Sequence, residues 1–187
     1  MSKWRYSSVA ALLAVLGLAT LAGCSWIPFV GKKSDNKAGA TPACPVAVVL
    51  RPLANTVVFA APGDLKPLNA GWYGIYSDIS ATCKMTGDTL HAVIDNVIVA
   101  ERGPAARGND VDFTYFVALT ASDQTILAKK AFAVHVTVPD KAKRGGVNDH
   151  VEIAFNTGGR PLSDLNFTVG FQESPEAIEF YKNYRGR

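Results

Sequence analysis

Three histidines, His91, His135 and His150, are the side chains best suited by type to metal binding or to proton transfer near neutral pH. None of them lies in a His-Glu-x-x-His run or in another recognised metal spacing. The nearest approach to a ligand set is Asp149-His150 with Glu152 two residues on. On a strand His150 and Glu152 share one face, and an exposed polar face accounts for them more simply than a metal does. Gly-x-Ser-x-Gly and Ser-x-x-Lys are both missing, and Gly31-Lys32-Lys33-Ser34 lacks the first glycine of a phosphate loop. No catalytic residue, metal or cofactor is therefore expected. Two basic stretches remain, one with Arg102 and Arg107, the other with Lys141, Lys143 and Arg144. If sheet order brings them together they could hold an anionic partner, with solubilising turns as the plainer account. Trp72, Tyr73 and Tyr76, beside Gly71 and Gly74, could form an aromatic ligand platform or pack in a core.

The strongest local pattern lies near the start. Lys3 and Arg5 precede an apolar run from Val9 to Ala22 that is interrupted only by Gly17 and Thr20. A membrane span needs roughly 20 apolar residues, whereas a basic start, a shorter apolar run and a small-residue cleavage site describe a secretory signal. Leu21-Ala22-Gly23-Cys24 resembles the lipobox of bacterial lipoproteins. The resemblance implies removal of residues 1–23, lipidation of Cys24 and membrane attachment through its acyl chains. More than one chain is what makes such attachment stable. Ser25 after the cysteine implies an outer-membrane address with the domain facing the periplasm. Inner-membrane anchoring and surface exposure are the alternatives.

Cleavage would remove Lys3 and Arg5, taking 19 basic residues to 17 against 16 acidic ones, so the net charge drops from +3 to +1. That balance argues against a nucleic-acid partner. Of three cysteines, lipidation removes Cys24 and leaves Cys44 and Cys83. In an oxidising compartment an even pair is most simply a disulfide, the rival being a metal or catalytic thiol without neighbouring ligands.

Residues 24–43 read as a tether. Trp26, Ile27 and Phe29 lie beside the lipid, and Lys32, Lys33 and Lys37 could meet anionic head groups or simply be solvated. Residues 44–187 then alternate short β-type runs with turn residues. Val46 to Leu50 and Thr56 to Ala60 are brief strands around Pro52, which suits an edge. Ile79, Ala81, Cys83 and Met85 alternate with polar residues, and 89–101 has apolar residues on both faces, as in a central strand or an interface. Runs over 111–121, 132–138, 147–155 and 165–172 complete about eight strands. An antiparallel immunoglobulin- or fibronectin-like β-sandwich is predicted, with a small β-barrel as the alternative. Ser174-Pro175 opens a short helix over 174–184, with Ala177, Ile178, Tyr181 and Tyr184 on one face, packing on its own domain or in a partner's groove.

A second resemblance covers Cys44 to Tyr181. Cys44-Pro45-Val46, Ala100-Glu101-Arg102-Gly103-Pro104-Ala105-Ala106, Tyr115-Phe116-Val117-Ala118, Ile126-Leu127-Ala128-Lys129 and Val169-Gly170-Phe171-Gln172 look like a family of small, uncharacterised Gram-negative lipoproteins. The likeness implies a recurring β domain with Cys44 and Cys83 paired, and no activity. The expectation is a lipid-anchored, non-catalytic accessory or assembly factor that contacts envelope proteins. A binding module for a small apolar ligand or lipid is the alternative, and an enzyme with an unrecognised site the third.

Overall fold

The computed structural model describes residues 44–184. The signal 1–23, the box Leu21 to Cys24 and the tether 24–43 lie outside the described residues. Eight strands follow from the period-two runs: β1 Val46–Val49, β2 Asn55–Phe59, β3 Ala70–Thr86, β4 Thr89–Arg102, β5 Asp110–Ala121, β6 Ile126–Thr137, β7 Arg144–Asn156 and β8 Leu165–Phe171. They make two four-stranded sheets, ordered β1-β8-β5-β6 and β2-β3-β4-β7. The sheets face each other as an all-β sandwich, and neither closes into a barrel.

Alternation explains the core. On β4, Leu90, Ala92, Ile94, Ile98 and Ala100 point inward and meet Phe113, Tyr115, Val117 and Leu119 of β5 and Phe167, Val169 and Phe171 of β8 in one buried cluster. Fully burying a Val, Leu, Ile or Phe side chain of this cluster stabilises the fold by about 1.5–3 kcal/mol relative to exposing it. Strand β4 lies between β3 and β7, the central place that its two apolar faces predict.

Two strands begin earlier than their sequence patterns indicate. Strand β3 starts at Ala70, because Trp72 and Tyr76 face the core while Tyr73 packs on the opposite face beneath a helix. With both faces covered, no polar alternation marks that stretch. Strand β6 starts at Ile126, whose side chain is exposed.

The covering helix is α1, Pro175–Asn183. Ser174 caps it by accepting from the Ala177 N–H at 3.1 Å, and Pro175 occupies the first turn, where its missing donor costs nothing. Ala177 and Phe180 pack on Val57 and Ala70, so the helix serves its own domain; Ile178 and Tyr184 stay exposed.

At one edge the chain changes sheets. Strand β1 runs parallel to β8, and Leu50 N–H extends that ladder to the Val169 carbonyl at 3.2 Å. A 3-10 turn, Arg51–Leu53, then carries the chain across, and β2 pairs antiparallel with Ala70–Ile75 of β3. Proline at position 52 has no N–H to give either ladder, so the crossing falls where a donor is dispensable. A register shift between Tyr76 and Asp78 divides β3. Beyond it, among the described residues, Asp78–Thr86 pairs with β4 alone.

Cys44 and Cys83 are joined, with Cα atoms 5.3 Å apart and a sequence separation of 39. The link ties the entry to β1 to the half of β3 beyond the register shift, and so joins the two sheets where no ladder can. Replacing both cysteines by alanine should lower the unfolding free energy by roughly 2–4 kcal/mol through the freer unfolded chain. Urea denaturation of the double variant against the oxidised parent checks this.

Candidate functional site

The two basic stretches do meet, but as a clasp. Arg102, at the end of β4, donates from Nε to Ala142 O at 3.0 Å, from Nη1 to Gly108 O at 2.5 Å, and from Nη2 to Asn109 Oδ1 and Val138 O at 2.7 and 3.0 Å. Its guanidinium also lies 4.9 Å from the centre of the Trp72 ring. The fork that could have bound an anion is thus filled by the protein's own carbonyls. Gly103 makes the close approach possible, because a Cβ there would lie 2.2 Å from the Ala70 carbonyl oxygen.

Glu101 takes up two more of the candidate cations. Arg144 binds its Oε2 through Nη2 at 2.5 Å and Lys143 binds Oε1 at 3.2 Å. Partial burial pushes the Glu101 carboxyl up, and the bonds from Arg144 and Lys143 more than offset that, holding it below its ordinary value. Among the described residues, Arg107 and Lys141 remain exposed with no ion-pair partner. Of the five candidate cations, Arg102, Lys143 and Arg144 thus bond to the chain itself, and Arg107 and Lys141 are solvated.

The aromatic trio is also divided. Successive strand residues point to opposite faces, so Trp72 and Tyr76 enter the core and Tyr73 lies under α1. No shared platform results.

The histidines take part in cross-strand polar pairs. His150 Nδ1 lies 2.7 Å from Asp95 Oδ1 on the outer face of β4 and β7. His135 Nδ1 lies 2.8 Å from Asp112 Oδ1, and its Nε2 is 3.3 Å from Asp110 Oδ1; the bond to Asp112 raises its pKa. His91 borders an open shelf of about 580 Å³ with Lys84, Lys130 and Glu152. Asp149 turns the other way, into the sandwich, where Tyr115 donates its hydroxyl to Asp149 Oδ2 and accepts from Asn96 Nδ2 at 3.3 Å. Burial, and then the bond to Asp149, push the Tyr115 pKa up. No group of three or more His, Cys, Asp or Glu side chains among the described residues is placed to hold a metal ion.

The best-formed site lies where the sequence gives no cue, at the sheet-changing turn. A groove of about 610 Å³ runs between Arg51, Pro52, Leu53 and Asn55 on one side and Ile178, Tyr181 and Lys182 of α1 on the other, with Glu173 between them. The Leu53 wall is set by Gly170 of β8, since a Cβ at that position would come 2.5 Å from Leu53 Cβ. Glu173 Oε2 accepts from Thr56 Oγ1 at 3.0 Å, while its Oε1 is buried without a hydrogen-bond partner among the described residues. Burial raises the Glu173 carboxyl to about 7 against the opposing pull of the Thr56 bond. Burial and the Glu173 charge raise Tyr181 as well. Arg51 and Lys182 are fixed positive charges over apolar walls, and Glu173 gains its charge only near neutrality. The groove thus suits an apolar segment with an acidic flank.

The Glu173 shift fixes a pH dependence. The folded chain keeps this proton until about pH 7, whereas the unfolded chain loses it near the ordinary value of 4.5. Its contribution to stability is therefore level below the unfolded value and falls as pH rises through that window. Glu173→Gln should flatten this part of the pH profile and gain on the parent toward pH 8, as read from urea midpoints at a series of pH values.

No family model matches the chain, and neither a curated protein nor a solved structure matches it.

Proposed function

We propose that this chain is a lipid-anchored cell-envelope protein that acts without catalysis, as an accessory or assembly factor holding another envelope protein. The observation that carries the reading is a row of aliphatic side chains on the outward face of β1. Val46 and Val48, with Leu50 just beyond the strand, are 63, 38 and 43% exposed, and Arg51, next in sequence, lines the groove beside α1, where Ile178 is 45% exposed. Single exposed aliphatics are ordinary, but a row continuous with an apolar-walled groove marks a contact surface. The joined Cys44 and Cys83 favour an oxidising compartment, which agrees with export and with an anchor at Cys24. Among the described residues no helix is long and apolar enough to cross a membrane. A second reading, a site for a small apolar ligand or lipid, is favoured by the groove's volume of about 610 Å³, a size common for such sites.

Photocrosslinkers placed at Leu50 and Ile178 in cells should join the chain to the same envelope protein, and one at Glu152 on the far edge should not. Leu50→Asp should remove the adduct at Ile178, and Cys24→Ala should release the chain into the soluble fraction. Equal labelling from Glu152, or adducts indifferent to Leu50→Asp, would contradict a partner surface here. Lipid recovered with the purified chain and lost in Ile178→Asp would favour the ligand reading.

A further inference from the structure

We propose that the half of β3 beyond the register shift, Asp78–Thr86, binds a second copy of itself through its open side as an antiparallel strand centred on Ala81. Among the described residues this half-strand has a ladder partner on one side only, because the edge strand has moved to the other sheet along this length. The direction of its free backbone groups is visible at Ile79, whose N–H is bonded to Asp78 Oδ1 at 2.8 Å rather than to β4. Alternation then points the backbone groups of Ala81, Cys83 and Met85 to the same open side. Exposed edges are normally protected by proline, by charged side chains, by bulges or by a cover, and of these the half-strand has only the exposed Asp78 and Lys84 and the shift at its start. Here the inward residues are Ile79, Ala81, Cys83 and Met85, all uncharged, and no proline lies between Asp78 and Thr86.

The sequence of the half-strand is complementary to itself. Pairing about Ala81 sets Asp78 opposite Lys84 of the second copy, Ile79 opposite Cys83 and Ser80 opposite Thr82, and the two-fold axis repeats each pair. Asp78, Ser80, Thr82 and Lys84 are all exposed on one face, at the positions where facing side chains come closest. A register centred one residue on, at Thr82, places both charges opposite uncharged partners. The shift at Ser77 and the Ala54 carbonyl, which accepts from Tyr76 N–H at 2.9 Å, end the open edge, so pairing stops at Asp78. Seven facing residues make a small, reversible contact. It lies apart from the groove beside α1, so the two proposals stand or fall separately.

The test mixes full-length chain carrying Asp78→Cys with full-length chain carrying Lys84→Cys under mild oxidation, and reads dimer on a non-reducing gel. Cys24 is common to all samples and sets the background. The mixture should give disulfide-linked dimer several-fold above either variant alone, because only mixed pairs bring the new thiols opposite each other. Equal yields from the mixture and from the separate chains would overturn the proposal. Sedimentation of variants that keep the parent's circular dichroism gives a second reading: Asp78→Lys should weaken self-association, and Asp78→Lys with Lys84→Asp should restore it. Self-association that ignores Asp78→Lys would overturn the proposal as well.

Discussion

One edge strand cannot serve both sheets along their whole length, and the rest of this structure is arranged around that constraint. The chain pairs with β8 through β1, crosses at Arg51–Leu53, and pairs with β3 through β2. Proline at the crossing removes a donor at the point where neither ladder needs one. Three consequences follow from the same step: the second half of β3 is left with an open side, the crossing turn becomes a groove wall, and the sheets need another tie below it.

That tie is one of three, spaced along the sandwich. Cys44–Cys83 joins the sheets at the end where β1 enters. Midway, the Tyr115 hydroxyl of β5 reaches Asp149 of β7 and Asn96 of β4, so a buried polar contact fixes how the two inner faces sit. At the far end Arg102 of β4 binds the loops that flank β5 and β6. Hydrophobic burial supplies most of the stabilisation but is indifferent to small slides of one face on another; directional ties of this kind select one arrangement. They also explain why residues that look available for chemistry are already engaged.

Much of the architecture was legible because a half-buried strand shows its period. Strands β4, β5, β7 and β8 fall where alternation placed them, and Ser174-Pro175 marked the helix start. The period disappears where both faces are covered, as at Trp72 to Tyr76, or where an edge strand exposes apolar and charged residues together, as at Ile126 to Lys130. The groove was not legible. It joins residues 51–55 to 173–182, and a glutamate following a strand carries no local sign that it will be buried against Thr56. Arg102 stands out in the sequence for its charge, yet its role comes from four acceptors on loops that only the fold brings near. A charge in sequence reports a capacity for bonding and leaves open whether the partner is external.

The sheet change leaves Asp78–Thr86 paired on one side only among the described residues. Amide hydrogen exchange at dilute protein concentration tests it most directly. Alternation is expected, with the N–H groups of Ser80, Thr82 and Lys84, which face β4, exchanging slowly and those of Ala81, Cys83 and Met85 exchanging fast. Uniform protection along the half-strand, equal to that of β4, would contradict it.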